Sequence, residues 1–135
     1  MTIQYSTTHR NNSMADITTQ AGTTPYLLLY TGSPPANCAA AATGTLLASL
    51  PCTNPLGAAP SGGVLTFSPV TSENAVATGV AGYWRLSANS GGTAIVAQGT
   101  VGTTSSYDLV FAAGNSFTSG QAIAINSFTI TANGA

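Results

Sequence analysis

The chain has 135 residues, a length typical of one domain, and only 4% of them are charged, against about 25% in an average soluble protein. Two basic side chains and a net charge of −1 cannot supply the phosphate contacts of a nucleic-acid binder or hold an anionic membrane. No apolar run reaches the ~20 residues of a membrane helix, and the polar N-terminus contains no signal region, so we expect synthesis in the cytoplasm and no membrane partner.

The scarcity of charge also bears on assembly. Charges of both signs normally keep soluble domains apart, so a nearly neutral surface is unfavourable for an isolated molecule. The composition therefore favours a protein that packs against copies of itself or against a partner. The alternative is a soluble β-domain coated with threonine and serine.

The N-terminal region is predicted to be an extended arm over residues 1–10, followed by one short helix. A cap within the Asn-Asn-Ser sequence at 11–13 would start this helix, and Gly22 would end it. Its apolar residues recur at spacings of three and four, as on one face of a helix: Met14, Ile17 and Ala21.

The rest of the chain predicts about seven or eight short strands with turn residues between them. The Ser90-Gly91-Gly92 sequence predicts a hairpin. Absence of βα alternation argues against a parallel sheet, so we expect an all-β protein: a two-sheet antiparallel sandwich, jelly-roll-like, forming a single domain over residues 11–135. The strands are expected at 25–31, 45–50, 63–70, 79–88, 93–101, 107–111 and 121–131, with loops at 71–78 and 112–120.

The strand at 79–88 contains the only tryptophan and is predicted to be central. Strand alternation places one set of side chains in the core, namely Val80, Trp84 and Leu86. The opposite set, Tyr83, Arg85 and Ser87, is expected to face outward. Arg85 would then meet solvent, a carboxylate (Glu73 or Asp108) or a neighbouring subunit, where arginine is enriched.

No pattern in the chain predicts catalysis or metal binding. The one histidine, His9, would need Cys38 and Cys52 to converge on it, and their spacing matches no zinc motif. The Gly-x-Ser-x-Gly sequence of hydrolases is absent. Glu73 and Asp108 would form a glycosidase pair only at a separation of about 5–10 Å. We therefore predict a non-enzymatic protein with no cofactor, no metal and no catalytic residues.

Cys38 and Cys52 allow two states. Free cysteine commonly behaves as a small buried apolar side chain, and a cytosolic protein keeps its thiols reduced. A disulfide between them would close a loop of about 15 residues and stabilise the fold by about 3 kcal/mol. Oxidation in a particle that leaves the cell keeps the second state open.

A set of turn and core sequences resembles small virion structural proteins of tailed bacteriophages, over about residues 10–131. The sequences that carry the likeness are Leu27-Leu28-Leu29-Tyr30-Thr31-Gly32-Ser33-Pro34-Pro35, Leu46-Leu47-Ala48-Ser49-Leu50, Tyr83-Trp84-Arg85-Leu86, Gly92-Thr93-Ala94-Ile95-Val96 and Ser127-Phe128-Thr129-Ile130-Thr131.

The resemblance implies a head decoration, or cement, protein that binds the outer shell and ties capsomers together. Its partners would be the major capsid protein and copies of the chain itself, as a dimer or trimer, and its place would be the capsid surface of the virion. We expect the interface to involve Tyr5, His9, Arg10, Tyr83 and Arg85. The alternative is a tail-fibre or baseplate domain that binds the host surface.

Overall fold

A computed structural model describes residues 2–135; Met1, the first residue of the predicted arm, lies outside the described residues. The chain forms one helix and ten short strands over this range. In order they are α1 (Thr7–Ala21), β1 (Tyr26–Thr31), β2 (Leu46–Pro51), β3 (Val64–Thr66), β4 (Val70–Asn74), β5 (Gly79–Ser87), β6 (Ile95–Gly102), β7 (Leu109–Val110), β8 (Ser116–Phe117), β9 (Ala122–Ile125) and β10 (Thr129–Thr131). The protein is therefore β-rich with a single short helix in its described part.

The largest sheet is organised around β5, as its predicted central position requires. Its strand order is β2-β1-β5-β6-β7, and β8 pairs with the first residues of β5. β1 runs antiparallel to both β2 and β5, and β6 returns antiparallel to β5. Gly92, at a φ of 68°, lies in the turn between β5 and β6, so the predicted hairpin is confirmed. β7 runs parallel to β6, a departure from the expected antiparallel pairing.

Two predicted strands are each divided in the structure. The segment 63–70 yields β3 and the start of β4, and the segment 121–131 yields β9 and β10. The division has one cause, because β3 pairs with β10 whereas β4 pairs with β9. The predicted loops at 71–78 and 112–120 were wrong in part, since they contain most of β4 and all of β8.

The main core is one buried cluster that joins residues from one face of the large sheet with residues from the two strand pairs. We call this face the core face; Leu27, Leu29, Trp84 and Leu86 contribute to it. Trp84 meets Phe128 edge-on with ring centroids 5.0 Å apart, and that ring also contacts Phe67 at 4.9 Å. The prediction that Trp84 and Leu86 are core residues is confirmed.

The prediction that Val80 shares this core face was wrong. Tyr83 is opposite Tyr30, but Ala81 is opposite Thr31, so β5 has one extra residue, Gly82, at a bulge. The bulge reverses the alternation before it, and Val80 is 54% exposed while Ala81 is buried. A Cβ at Gly82 would lie 1.9 Å from the Gly32 carbonyl oxygen, so the close approach requires glycine.

The helix starts earlier than predicted. Ser6 is the N-cap, and its side chain accepts a hydrogen bond from the His9 N–H at 3.1 Å. Residues 7–10 are therefore helical, which corrects the predicted extended arm and the predicted cap at 11–13. The predicted end at Gly22 is confirmed, as is the inward face, where Met14 and Ala21 are buried. Within residues 2–135 this helix is too short and too polar to cross a membrane.

Candidate interaction surface

The second face of the large sheet is covered rather than exposed. We call it the loop-covered face, formed by Leu28, Tyr30, Tyr83, Arg85 and Ser87, because residues 32–45, the β1–β2 loop, lie across it. Tyr83 and Ser87 are fully buried and Arg85 is 2% exposed. The prediction that Tyr83 and Arg85 face outward was wrong, and neither side chain is available on the surface of the folded chain.

Tyr83 fixes the far end of the β1–β2 loop. Its hydroxyl accepts a hydrogen bond from the Thr43 N–H at 2.9 Å and donates one to the Thr43 carbonyl. Its ring stacks on Tyr30 with centroids 5.0 Å apart and planes 9° from parallel. Burial raises the pKa of Tyr30, and the neighbouring Tyr83 raises it further, while the positive charge of Arg85 acts in the opposite direction.

Arg85 fixes the middle of the same loop. Its Nη2 donates to the carbonyls of Cys38 at 2.8 Å and Ala40 at 2.9 Å, with the Asn37 carbonyl at 3.5 Å. On the neighbouring strand, Gln98 is directly opposite Arg85 and donates from Nε2 to the Pro35 carbonyl at 2.8 Å. The sheet thus holds the loop through polar side chains that bind its backbone.

Neither carboxylate proposed as a partner of Arg85 is hydrogen-bonded to it. Asp108 accepts hydrogen bonds from the N–H and hydroxyl of Thr100, at 2.8 and 3.0 Å. Glu73 is exposed on β4, opposite Ile123 of β9. Within residues 2–135, no three histidine, cysteine or acidic side chains lie together as a metal site.

The other three interface candidates lie at or just before the start of α1, and two of them are in contact. Tyr5 stacks on His9 with ring centroids 4.7 Å apart, and its N–H donates to the Gly134 carbonyl at 2.6 Å. Arg10 reaches back from the helix and donates from Nη1 to the Gly62 carbonyl at 3.2 Å. Tyr5 and His9 are exposed, so this cluster joins the two ends of the chain and remains accessible on the surface.

The two cysteines are free and half-buried, which is the first of the two states that the sequence left open. Cys38 lies in the β1–β2 loop, on the loop-covered face, whereas Cys52 packs against the core on the opposite side of the sheet. Burial raises the pKa of Cys52 to about 12, opposed in part by a backbone hydrogen bond from Leu27. A thiolate at Cys52 is therefore strongly disfavoured in the folded protein.

Exposed apolar side chains border a groove formed by β7, β8, β9 and the residues between them. The groove has a volume of about 580 Å³ and is lined by residues 109–114, 116–117 and 121–127. Val110 lines it and is exposed, and exposed Val80 pairs with Ser116 in its wall. Sequence reasoning missed this groove because its lining includes β8, a two-residue strand that leaves no periodic signal.

Charge is nearly absent from the surface. The chain has five charged side chains, and burial of Arg85 leaves four on a surface of 6945 Å². Comparison with family models, curated proteins and solved structures finds no match to this chain.

Proposed function

We propose that this chain is a non-enzymatic structural protein of a tailed-bacteriophage virion, a decoration or cement protein that binds the outer shell. The observation that carries the proposal is the nearly uncharged surface, on which four charged side chains are spread over 6945 Å². Contacts between such surfaces require little desolvation of charge, which is the costly part of burying polar groups at an interface. The virion context rests on the sequence resemblance.

Two surfaces are proposed as the contacts. One is the apolar groove with Val80 and Val110 at its edge, and the other is the cluster of Tyr5, His9 and Arg10. The first offers apolar area to a neighbour, and the second offers aromatic rings beside one positive charge. Through them the chain would bind the major capsid protein and copies of itself as a dimer or trimer.

The jelly-roll-like, two-sheet arrangement is part of the same proposal. Side chains from the strand pairs β3–β10 and β4–β9 pack onto the core face of the large sheet in one cluster, which supports two facing layers. A decoration protein of this kind would present the outer surface of one layer to the shell.

A second function has one observation in its favour. Tyr5 is 46% exposed and Tyr107 is 44% exposed, and exposed tyrosines outside strands stack on sugars. A tail-fibre or baseplate domain that binds a host glycan would use such rings.

Cryo-electron microscopy of virions from a culture that produces this chain tests the proposal. Density at regular positions over the whole shell, in hundreds of copies, is the expected result. Density at the tail alone would replace the proposal with the second function, and purified virions that lack the chain would overturn both.

A truncation tests the first contact cluster. Removing residues 2–5 keeps Ser6 as the helix cap, so α1 should form as before. We expect reduced occupancy on shells that lack the native protein. Full occupancy of a truncated chain with unchanged circular dichroism would show that Tyr5 is not part of the interface. Tyr107→Ala, which removes another exposed tyrosine side chain, is the matched control.

A further inference from the structure

A second groove lies over the loop-covered face. It has a volume of about 680 Å³ and runs between residues 38–42 of the β1–β2 loop and residues 92–95, where β6 begins. Arg85 contributes to its lining, although only 2% of this residue is exposed to solvent. Among the described residues that line the groove, Arg85 alone is charged; most of the others are alanine, glycine or threonine.

The positive charge of Arg85 has no acidic partner in its hydrogen bonds. All of them leave from Nη2 and end on neutral carbonyls. Nε is buried with no acceptor among residues 2–135. Buried cations in proteins are normally paired with a carboxylate, because an uncompensated charge in a low-dielectric site is costly. The guanidinium is therefore a site of positive potential at the floor of an otherwise neutral groove.

Four of the backbone donors around the groove are already used. The N–H groups of Ala39 and Ala40 both donate to Asn37 Oδ1 at 3.0 Å. Across the groove, the N–H groups of Gly92 and Thr93 donate to the carbonyl and the Oδ1 of Asn89, at 3.4 and 3.1 Å. These four N–H groups therefore form no nest of free backbone donors of the kind that binds phosphate, whereas a planar carboxylate matches the geometry of a guanidinium.

We propose that this groove binds a carboxylate, whose oxygens accept hydrogen bonds from Nη1 of Arg85 while Nη2 continues to hold the loop. The small side chains of residues 39–42 leave the space for it. The carboxylate belongs either to a small free acid or to an aspartate or glutamate of another protein. This site is independent of the virion role, since it would bind the same group in any context.

The test is a titration of the full chain with sodium acetate, followed by amide chemical shifts, at an ionic strength held constant with sodium chloride. Saturable shifts confined to residues 38–42 and 92–95 are the expected result. Equal shifts with chloride alone would overturn the proposal, because they would report a general response to anions.

Two substitutions sharpen the titration. Ala94→Glu places a carboxylate in the lining of the groove without touching Arg85, and should weaken acetate binding about tenfold or more. Ala59→Glu, at an exposed alanine outside the groove, is the matched control and should bind as the native chain does. Identical binding by the two variants would mean that Arg85 serves only to hold the loop. This comparison stands even where Arg85→Gln fails to fold.

The source of the carboxylate is identified with a short Gly/Ser peptide that is acetylated at its N-terminus, amidated at its C-terminus and has one central aspartate. It is compared with its asparagine analogue, blocked in the same way. Tighter binding of the aspartate peptide than of acetate indicates a protein partner, and equal affinity indicates a free acid. An asparagine peptide that binds as well as the aspartate peptide would contradict the proposal, because charge would then contribute nothing.

Discussion

At β1 and β5, the two faces of the large sheet are both buried, but by different means. The core face is covered by apolar side chains, with Leu27, Leu29, Trp84 and Leu86 packed among residues of the smaller strand pairs. The loop-covered face is closed by backbone, which the polar ends of Tyr83 and Arg85 bind. Burial on the first face depends on shape and apolar area, and burial on the second depends on hydrogen bonds. The same strand therefore contributes to stability in two separable ways.

The largest expected effect comes from a cavity on the core face. Leu86→Ala removes a fully buried side chain, and we expect the free energy of unfolding to fall by about 2–5 kcal/mol. Urea denaturation measures the change. Val80→Ala, on the same strand but 54% exposed, is the control and should change it by less than about 0.5 kcal/mol. Similar losses for the two variants would contradict the assignment of the core face.

A methyl group at the bulge should have the next largest effect. Gly82→Ala brings a Cβ to within 1.9 Å of the Gly32 carbonyl oxygen, so the backbone must shift, at a cost of about 1–3 kcal/mol. At Gly91 the nearest atom to an added Cβ is 3.8 Å away, so Gly91→Ala should be nearly neutral. Thermal unfolding of both variants tests the close approach, and a stable Gly82→Ala protein would exclude it.

Removal of one hydroxyl group tests how the loop is held on the loop-covered face. Tyr83→Phe removes both hydrogen bonds to Thr43 and keeps the ring, so we expect a loss of about 1–2 kcal/mol. Hydrogen exchange should accelerate at the Thr43 amide and stay unchanged in the centre of β5. The exposed Tyr107→Phe is the matched control. Uniform acceleration through the whole sheet would mean that the loop does not open separately.

The smallest effect at neutral pH concerns Cys52. Its pKa is raised from 9.0 to about 12 in the folded protein, so folding favours the neutral thiol. The contribution is complete below about pH 9 and is lost as the pH rises towards 12, at up to about 1.4 kcal/mol per pH unit. Cys52→Ala should reduce this alkaline decline, and Cys38→Ala should leave it in place. A decline unchanged by Cys52→Ala would assign it to other groups.

Local signals were sufficient for much of the fold. The apolar run of β1, the hairpin glycine at 92 and the helix end at Gly22 each depend on neighbouring residues, and each was predicted correctly. The division of two long strands was missed because it depends on which strands they pair with. Alternation also failed at Val80, since one extra residue in a bulge is invisible in a sequence pattern.

The candidate surface was harder to predict for the same reason. The contacts of Arg85 join residues 45 to 48 positions apart, so its burial follows from the course of a distant loop. An arginine on an alternating strand normally faces water. The one signal available was the loop composition, whose two prolines and four consecutive alanines allow close packing on a sheet.

The contacts of Arg85 with the β1–β2 loop also constrain how this sequence can change over time. A chain with a shortened loop would leave a bare guanidinium on the sheet, and a chain with an apolar residue at position 85 would leave the carbonyls of Cys38 and Ala40 without donors. Lengths and identities over 37–43 should therefore covary with the residue at 85 among descendants of this sequence. Substitutions on the core face depend on one another through side-chain volume instead, because the core is packed. The residues on the two faces of one strand are therefore expected to change under different constraints.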